Sequence, residues 1–324
     1  MLNVSVCKDL EKAARLWRDH WPRHCLFDLW PIRACFQNRY NHPPHFIVAS
    51  EKNRFRGLVA LSWIPEENYF GHFPGELWQG KTWLEQNKII SADSRVARAL
   101  LERVPARTRI RYLADDDYPH TRASAELDET GYLFFPAQYD YCFQSYQQSF
   151  SAKTRKKMRS ELARLAARGV QYRYNHWSDI DTLFRLNLER YKGSSYFEDN
   201  RFLGAMEDLA AWLRANNLLR ITTVLVGGKV AAVDLGAVWN STYTVIAGGT
   251  HADFPGVAKL INLHHLEWAC AQKIQMVDFL CGEFNWKKRF HLTARPLYAI
   301  EKTGSAQSWT QRILYDRREE FCAA

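Results

Sequence analysis

The sequence predicts an α/β protein with mixed sheets in which one layout is used twice. Three observations carry this. The chain has 324 residues, too many for one ordinary core and suited to two units of about 150. Hydrophobic residues make up 47% and aromatic residues 14%, with twelve Trp among them, so a large interior can be filled. The order hairpin, helix, strand appears once in each half at a similar offset. Chance is the competing explanation, since hairpin-then-helix is common; the matching order and spacing favour duplication. The units expected are 1–148 and 149–324.

The first unit opens with a helix over roughly residues 10–18. After an irregular aromatic stretch, HFIVAS (45–50) and GLVALSWI (57–64) flank the polar turn EKNRFR and read as an antiparallel hairpin. FGHFPGELWQGKTWLEQN (70–87) is rich in Gly and Trp. Its rings either pack between the units or line an acceptor groove; packing accounts for most of them. A helix over 94–104 puts Val96, Ala97, Leu100, Leu101 and Val104 at helical spacing. Pro105 stops it, and a strand follows over 109–114.

Between the halves, residues 151–169 hold seven Lys or Arg against the single acid Glu161. Met158, Leu162 and Leu165 recur at helical spacing, which gives an amphipathic helix with a basic face, ended by Gly169. The basic face is either a solvated cover over the joint or a phosphate-binding surface. In the second unit, strands over 219–226 and 229–239 flank Gly227-Gly228, a tight hairpin turn. A third strand spans 241–249, a helix 256–272 and a last strand 275–282.

The charge balance is +9, which suits an anionic partner without choosing among nucleic acid, phosphate-rich cofactor and membrane surface. The seven Cys are odd in number and form no C-x-x-C pair, so neither a disulfide framework nor a zinc site is suggested. The N-terminus lacks a signal peptide's apolar stretch, and no apolar run reaches membrane-spanning length. The expected setting is the cytoplasm, with no membrane span and no DNA partner.

Two clusters point to chemistry. In AGGTHADFPGVAK, a strand ends in Ala247, Gly248 and Gly249, and a helix begins at Gly256, Val257 and Ala258. Glycine lets a ligand approach the backbone, and first-turn amides with the helix dipole suit a pyrophosphate. Lys259 would add charge. An ordinary strand-to-helix turn is the plain alternative. In CGEFNWKKRF (281–290), three cations follow the last strand, where ligands lie in open α/β sheets. A cation there suits the oxyanion of an acyl-transfer intermediate; a solvated basic turn is the alternative.

The second half resembles the GNAT superfamily branch of the Fem-type peptidoglycan aminoacyltransferases, and still more the acetyltransferase-like branch related to CelD-type proteins. The likeness runs through the basic helix, Arg190-Tyr191, FEDN (197–200), the strand pair LRITTVLVGGKVAAVDLGAV, PGVAKL (255–260) and VDFLCGEFNWKKRF. Within the last string, Gly282-Glu283-x-x-Trp286-Lys287 is similar to the branch's Gly-acid-x-x-aromatic-Lys signature. The resemblance covers roughly residues 149–295; the first half matches by layout alone. It implies two GNAT-like units side by side and acyl or aminoacyl transfer to an amine without a metal. The donor it implies is acyl-coenzyme A (acetyl-coenzyme A) or aminoacyl-tRNA, and the acceptor a small-molecule or cell-envelope amine. Lys287 stands where the family has a lysine proposed to stabilise the transition state. Arg155, Arg159, Tyr191 and Trp286 fall at candidate substrate contacts.

The sequence departs from the coenzyme-A-binding pattern at one place. That pattern places Gln or Arg ahead of x-x-Gly-x-Gly/Ala, whereas here Asp253 leads Phe254-Pro255-Gly256-Val257-Ala258. Asp253 would repel a pyrophosphate, or it caps the helix. A non-catalytic binding module for polysaccharide or protein is the reading this departure favours. Asp234 interrupts an apolar strand; buried, it is a candidate base, and facing outward it is a plain strand-edge acid. Glu283 either holds an acceptor ammonium or pairs with a neighbouring cation. His264 and His265 are adjacent on one helix and point in different directions, so packing is expected rather than metal ligation. His72 stands alone and suggests no ligand set.

Overall fold

Alternating apolar residues and left-handed turns send the strands into one sheet. The computed structural model describes residues 1–114, 125–282 and 284–303. The first half forms β1 (Leu2–Cys7), α1 (Leu10–His20), α2 (Trp30–Tyr40), β2 (Pro44–Glu51), β3 (Arg54–Ile64), β4 (Tyr69–His72), β5 (Ile89–Ser91), α3 (Ser94–Arg103), β6 (Thr108–Ala114) and β7 (Glu126–Phe134). The second forms α4 (Phe143–Gln148), α5 (Ala152–Ala166), β8 (Val170–Tyr174), α6 (Asp179–Arg190), α7 (Asn200–Ala215), β9 (Leu219–Val226) and β10 (Lys229–Trp239). It continues with β11 (Thr242–Thr250), α8 (Val257–Ala271), β12 (Met276–Cys281), α9 (Asn285–Arg289) and β13 (Thr293–Lys302).

The strands run β1-β2-β3-β4-β6-β13-β7-β12-β11-β10-β9-β8, with β5 attached to β3. The repeat is plain in the hairpins. Lys52 and Asn53 turn β2 into β3 at φ 50° and 60°, and Gly227 and Gly228 turn β9 into β10 at φ 60° and 77°. Two left-handed residues between twisted strands are the compact solution for such a turn. Each half then ends in a parallel pair. β4 and β6 share one register pair, Phe70 with Thr108. β11 and β12 share three, Thr242–Thr244 against Met276–Asp278.

The halves are joined by a strand exchange that the sequence reading did not anticipate. β13, the last strand among the described residues, lies between β6 and β7, and β7 pairs β12. Neither half then presents a bare edge at the joint. Side chains close the same seam. Trp83 packs 5.5 Å from Phe27, 5.6 Å from Phe36 and 5.8 Å from Phe202, so one core spans both halves. The Trp-rich segment is thus packing between the halves at Trp83, and His72 is a buried residue of β4.

Helix limits follow their caps. Asp93 caps α3 through Val96 N at 2.9 Å, and Val96, Ala97, Leu100 and Leu101 are its buried face. Ser151 caps α5, which buries Met158 and Leu165 and ends three residues short of Gly169, where φ reaches 79°. No helix among the described residues is long and apolar enough to cross a membrane.

Candidate active site

β11 and β12 part after Thr244 and Asp278, while β11 continues to Thr250 and β12 to Cys281. A wedge opens between two strands of one sheet, and α8 starts just beyond the end of β11. Gly256 caps α8 at φ 91°, a conformation strained for any other residue. Asp253 does not cap the helix, contrary to one of the sequence alternatives: its carboxylate is exposed, and its backbone N–H donates to His251 Nδ1 at 3.2 Å. Phe254 turns inward instead. Val257 N–H is held by Phe254 O and Leu260 N–H by Gly256 O. The amides of Ala258 and Lys259 have no acceptor among the described residues, and Pro255, Gly256 and Ala258 are exposed. The helix start is therefore open to an anion. The Lys259 ammonium is ion-paired with Glu161 of α5, so its charge is partly neutralised.

Asp234 is buried on β10, and its Oδ2 lies 2.8 Å from Nε2 of the fully buried His265. His265 Nδ1 in turn stands 3.4 Å from the Tyr243 hydroxyl, whose ionisation burial pushes up. Gly248 faces Asp234 across the β10–β11 ladder. A Cβ built on Gly248 would lie 2.3 Å from Asp234 Oδ1. The carboxylate thus fills the space of a side chain on β11 and leans toward the wedge. Gly249 answers a different need, because its Cβ would meet Leu183 O at 2.6 Å and Leu186 Cβ at 2.9 Å on α6. Asn187 of α6 donates to Gly248 O at 2.7 Å and accepts from Ser195 Oγ at 2.8 Å, which fixes the same stretch.

Lys287 is buried on α9. Its Nζ donates to the carbonyls of Phe279 (3.0 Å), Leu280 (3.0 Å) and Cys281 (2.8 Å). β12 has left β11 there, and its register with β7 breaks between Asp278 and Cys281. Those carbonyls need donors from elsewhere, and one ammonium supplies three. Burial lowers the Lys287 pKa, opposed by Glu85, Cys281, Asp278 and Glu129.

Residues 152–288 match the family model described as Acetyltransferase (GNAT) domain. This part of the chain is similar to that family. The fold of the whole is similar to that of a FemX crystal structure, with a TM-score of 0.57 at 10% identity over 91% of this chain and 96% of that one. A conserved protein of unknown function from Bacteroides thetaiotaomicron gives 0.55 at 13% identity, over 92% and 99%. L-PGS from Bacillus licheniformis gives 0.55 at 9%, over 92% and 93%. At such identities the likeness is one of fold, and it extends over both halves. A search of curated proteins by sequence found no match.

The structure brings some of the expected residues together and separates others. Gly248 and Gly249 lie on the parted length of β11, Asp234 faces Gly248 from β10, Gly256, Val257 and Ala258 form the α8 start beyond β11, and Lys287 holds the end of β12. Ala247 lies on the same parted length of β11. Trp286 is half-buried between Phe279 (5.4 Å) and Phe290 (5.3 Å), as packing. Tyr191 is exposed at the C-terminal end of α6; partial burial pushes its phenol pKa up, Arg190 pulls it down and the Asp234 charge raises it. Arg155 and Arg159 line a separate groove on α5. Glu283 lies outside the described residues. No His, Cys, Asp and Glu group suited to a metal occurs among the described residues.

Three site features were missed from sequence. His265 was expected to pack, yet it is the partner of Asp234, and nothing in a single sequence links residues so far apart. Glu85 comes from the first half, accepting Cys281 N–H at 2.6 Å, while its neighbour Gln86 donates to Asp278 at 2.8 Å. Glu76 is likewise buried and accepts the amides of Trp83 and Leu84. A Gly-rich run with two acids inside an apolar segment was the available signal. The Gly248 contact gives a direct prediction. Gly248→Ala should displace the Asp234 carboxylate and lower stability by about 1–3 kcal/mol, as overpacking does. A chemical denaturation curve matching wild type would show that Asp234 does not lean over residue 248.

Proposed function

We propose that the protein is an N-acyltransferase that moves an acyl group from acyl-coenzyme A to a primary amine in the wedge between β11 and β12. The observation that carries this reading is the Asp234 carboxylate leaning over Gly248, on the strand that borders the wedge and leads to the open start of α8. The donor's pyrophosphate takes the Ala258 and Lys259 amides, where the helix dipole favours it. Its thioester lies along the unpaired part of β11. The acceptor nitrogen attacks the carbonyl carbon; an N–C bond forms and the C–S bond breaks. Asp234 takes the proton lost by the nitrogen, and the thiolate leaves. His265 is a positioning residue that holds Asp234 in its rotamer. Lys287 is also a positioning residue: its three N–H groups hold the β12 carbonyls, so the wedge keeps its shape. We assign this chemistry to the 149–324 unit.

The basic face of α5 favours aminoacyl-tRNA as a second donor reading. Calorimetry with acetyl-coenzyme A and filter binding with aminoacyl-tRNA separate the two. The first reading expects saturable acetyl-coenzyme A binding. Tighter tRNA binding that weakens steeply with salt would move the donor to tRNA. Binding of neither would leave a non-catalytic GNAT-like module. Asp234→Asn, which keeps an acceptor for His265, should lower amine-dependent thiol release from acetyl-coenzyme A by about a hundredfold while leaving donor affinity unchanged. Unchanged turnover in the folded variant would remove Asp234 as the base.

A further inference from the structure

A groove of about 370 Å³ lies between α5, the end of α4, β8 and α8, within the size range of small-molecule sites. Its floor is apolar: Phe150, Met158, Leu162, Val170 and Leu260 line it. Its polar lining is Gln147 and two guanidinium groups, Arg155 and Arg159 one turn apart on α5. Among the described residues no carboxylate lines it. The single acid of α5, Glu161, is engaged by Lys259. Arg155 is already fixed, since Nη1 donates to Gln148 O at 3.1 Å and Phe150 O at 2.7 Å. A fixed guanidinium loses little freedom when it meets an anion, and it suits a two-oxygen partner.

We propose that this groove binds a single-chain anionic amphiphile, a fatty acid, with its hydrocarbon on the Phe150–Met158–Leu162 floor and its carboxylate on Arg155 and Arg159. The apolar floor selects a chain over a nucleotide or sugar, and the acid-free cationic lining selects an anionic head over a cationic one. The assignment does not rest on acyl transfer and stands or falls by binding alone.

The test is calorimetric titration of the full chain with dodecanoate and with dodecyltrimethylammonium, both below their micelle concentrations. Dodecanoate should bind at one saturable site at least about tenfold more tightly than the cation of equal chain length. Arg159→Glu should abolish that preference. Ala163→Trp, made at an exposed position on the lining, should weaken dodecanoate about tenfold by filling the groove. Circular dichroism confirms that each variant folds. Equal affinity for both amphiphiles, or undiminished dodecanoate binding by folded Ala163→Trp, would overturn the proposal.

Discussion

Lys287→Met is expected to lower the unfolding free energy by on the order of 3 kcal/mol, from removal of one side chain's hydrogen bonds. Three carbonyls at the end of β12 take their donor from this ammonium, at 3.0, 3.0 and 2.8 Å. The strand has no β11 partner there, and its register with β7 shifts between Asp278 and Cys281, so the regular ladder does not supply these bonds. Each buried carbonyl left without a donor costs about 1–3 kcal/mol. Relief of the buried charge offsets part of this, because burial disfavours the ammonium. The nearby acids Glu85 and Asp278 lose a cation as well, which acts in the opposite direction. Met keeps most of the side-chain volume, so the change reports on the bonds rather than on a cavity. Urea unfolding measures it. The family resemblance implies a different outcome, in which a lysine that stabilises the transition state is lost and turnover falls while the fold stays intact. If Lys287→Met unfolds within about 1 kcal/mol of wild type while turnover collapses, the transition-state role returns and the strand-end role fails.

The two outcomes differ because the sequence shows residue type and spacing, and the role of a lysine depends on which backbone groups lack partners. The mixed α/β fold with its layout used twice was readable, since hairpin turns and helical periodicity are local signals. The Lys52-Asn53 and Gly227-Gly228 turns and the buried face of α3 are of this kind. The exchange of β13 and β7 between the halves was not readable, because strand neighbours are set by long-range packing rather than by the strand's own residues. The glycines at 248 and 249 were singled out for the approach of a ligand. In the structure each makes room for the protein itself, Gly248 for the Asp234 carboxylate and Gly249 for α6. Asp234 was legible as an acid in an apolar strand. Its partner His265 was not, because that pairing exists only once α8 lies on the sheet.

Replacing the buried acids Glu85 and Glu76 by Gln should flatten the pH dependence of stability in the alkaline direction. Burial pushes each carboxyl up to about 7 from an ordinary 4.5, outweighing the backbone amides and cations that pull it down. Glu85 reaches from the first half to Cys281 N–H at 2.6 Å. Glu76 accepts Trp83 N–H at 3.0 Å and Leu84 N–H at 2.7 Å, in the same inserted segment. A raised carboxyl pKa means that the folded state holds its proton more tightly than the unfolded state. The stability this contributes is present below the unfolded pKa. It declines as pH rises from there and is gone once pH passes the folded value of about 7. The shift from 4.5 to about 7 amounts to on the order of 3 kcal/mol for each acid. Glu85→Gln keeps an acceptor for Cys281 N–H and cannot ionise. Its unfolding free energy relative to wild type should be near zero at about pH 4 and favour the variant by on the order of 3 kcal/mol at about pH 8. The double variant with Glu76→Gln should extend the difference in the same direction. Paired urea titrations at the two pH values decide it: a difference that does not grow with pH would show that Glu85 is already ionised in the fold. If it does grow, the buried Glu85 charge destabilises the fold above neutral pH, and any activity housed in the neighbouring wedge should fall over the same interval.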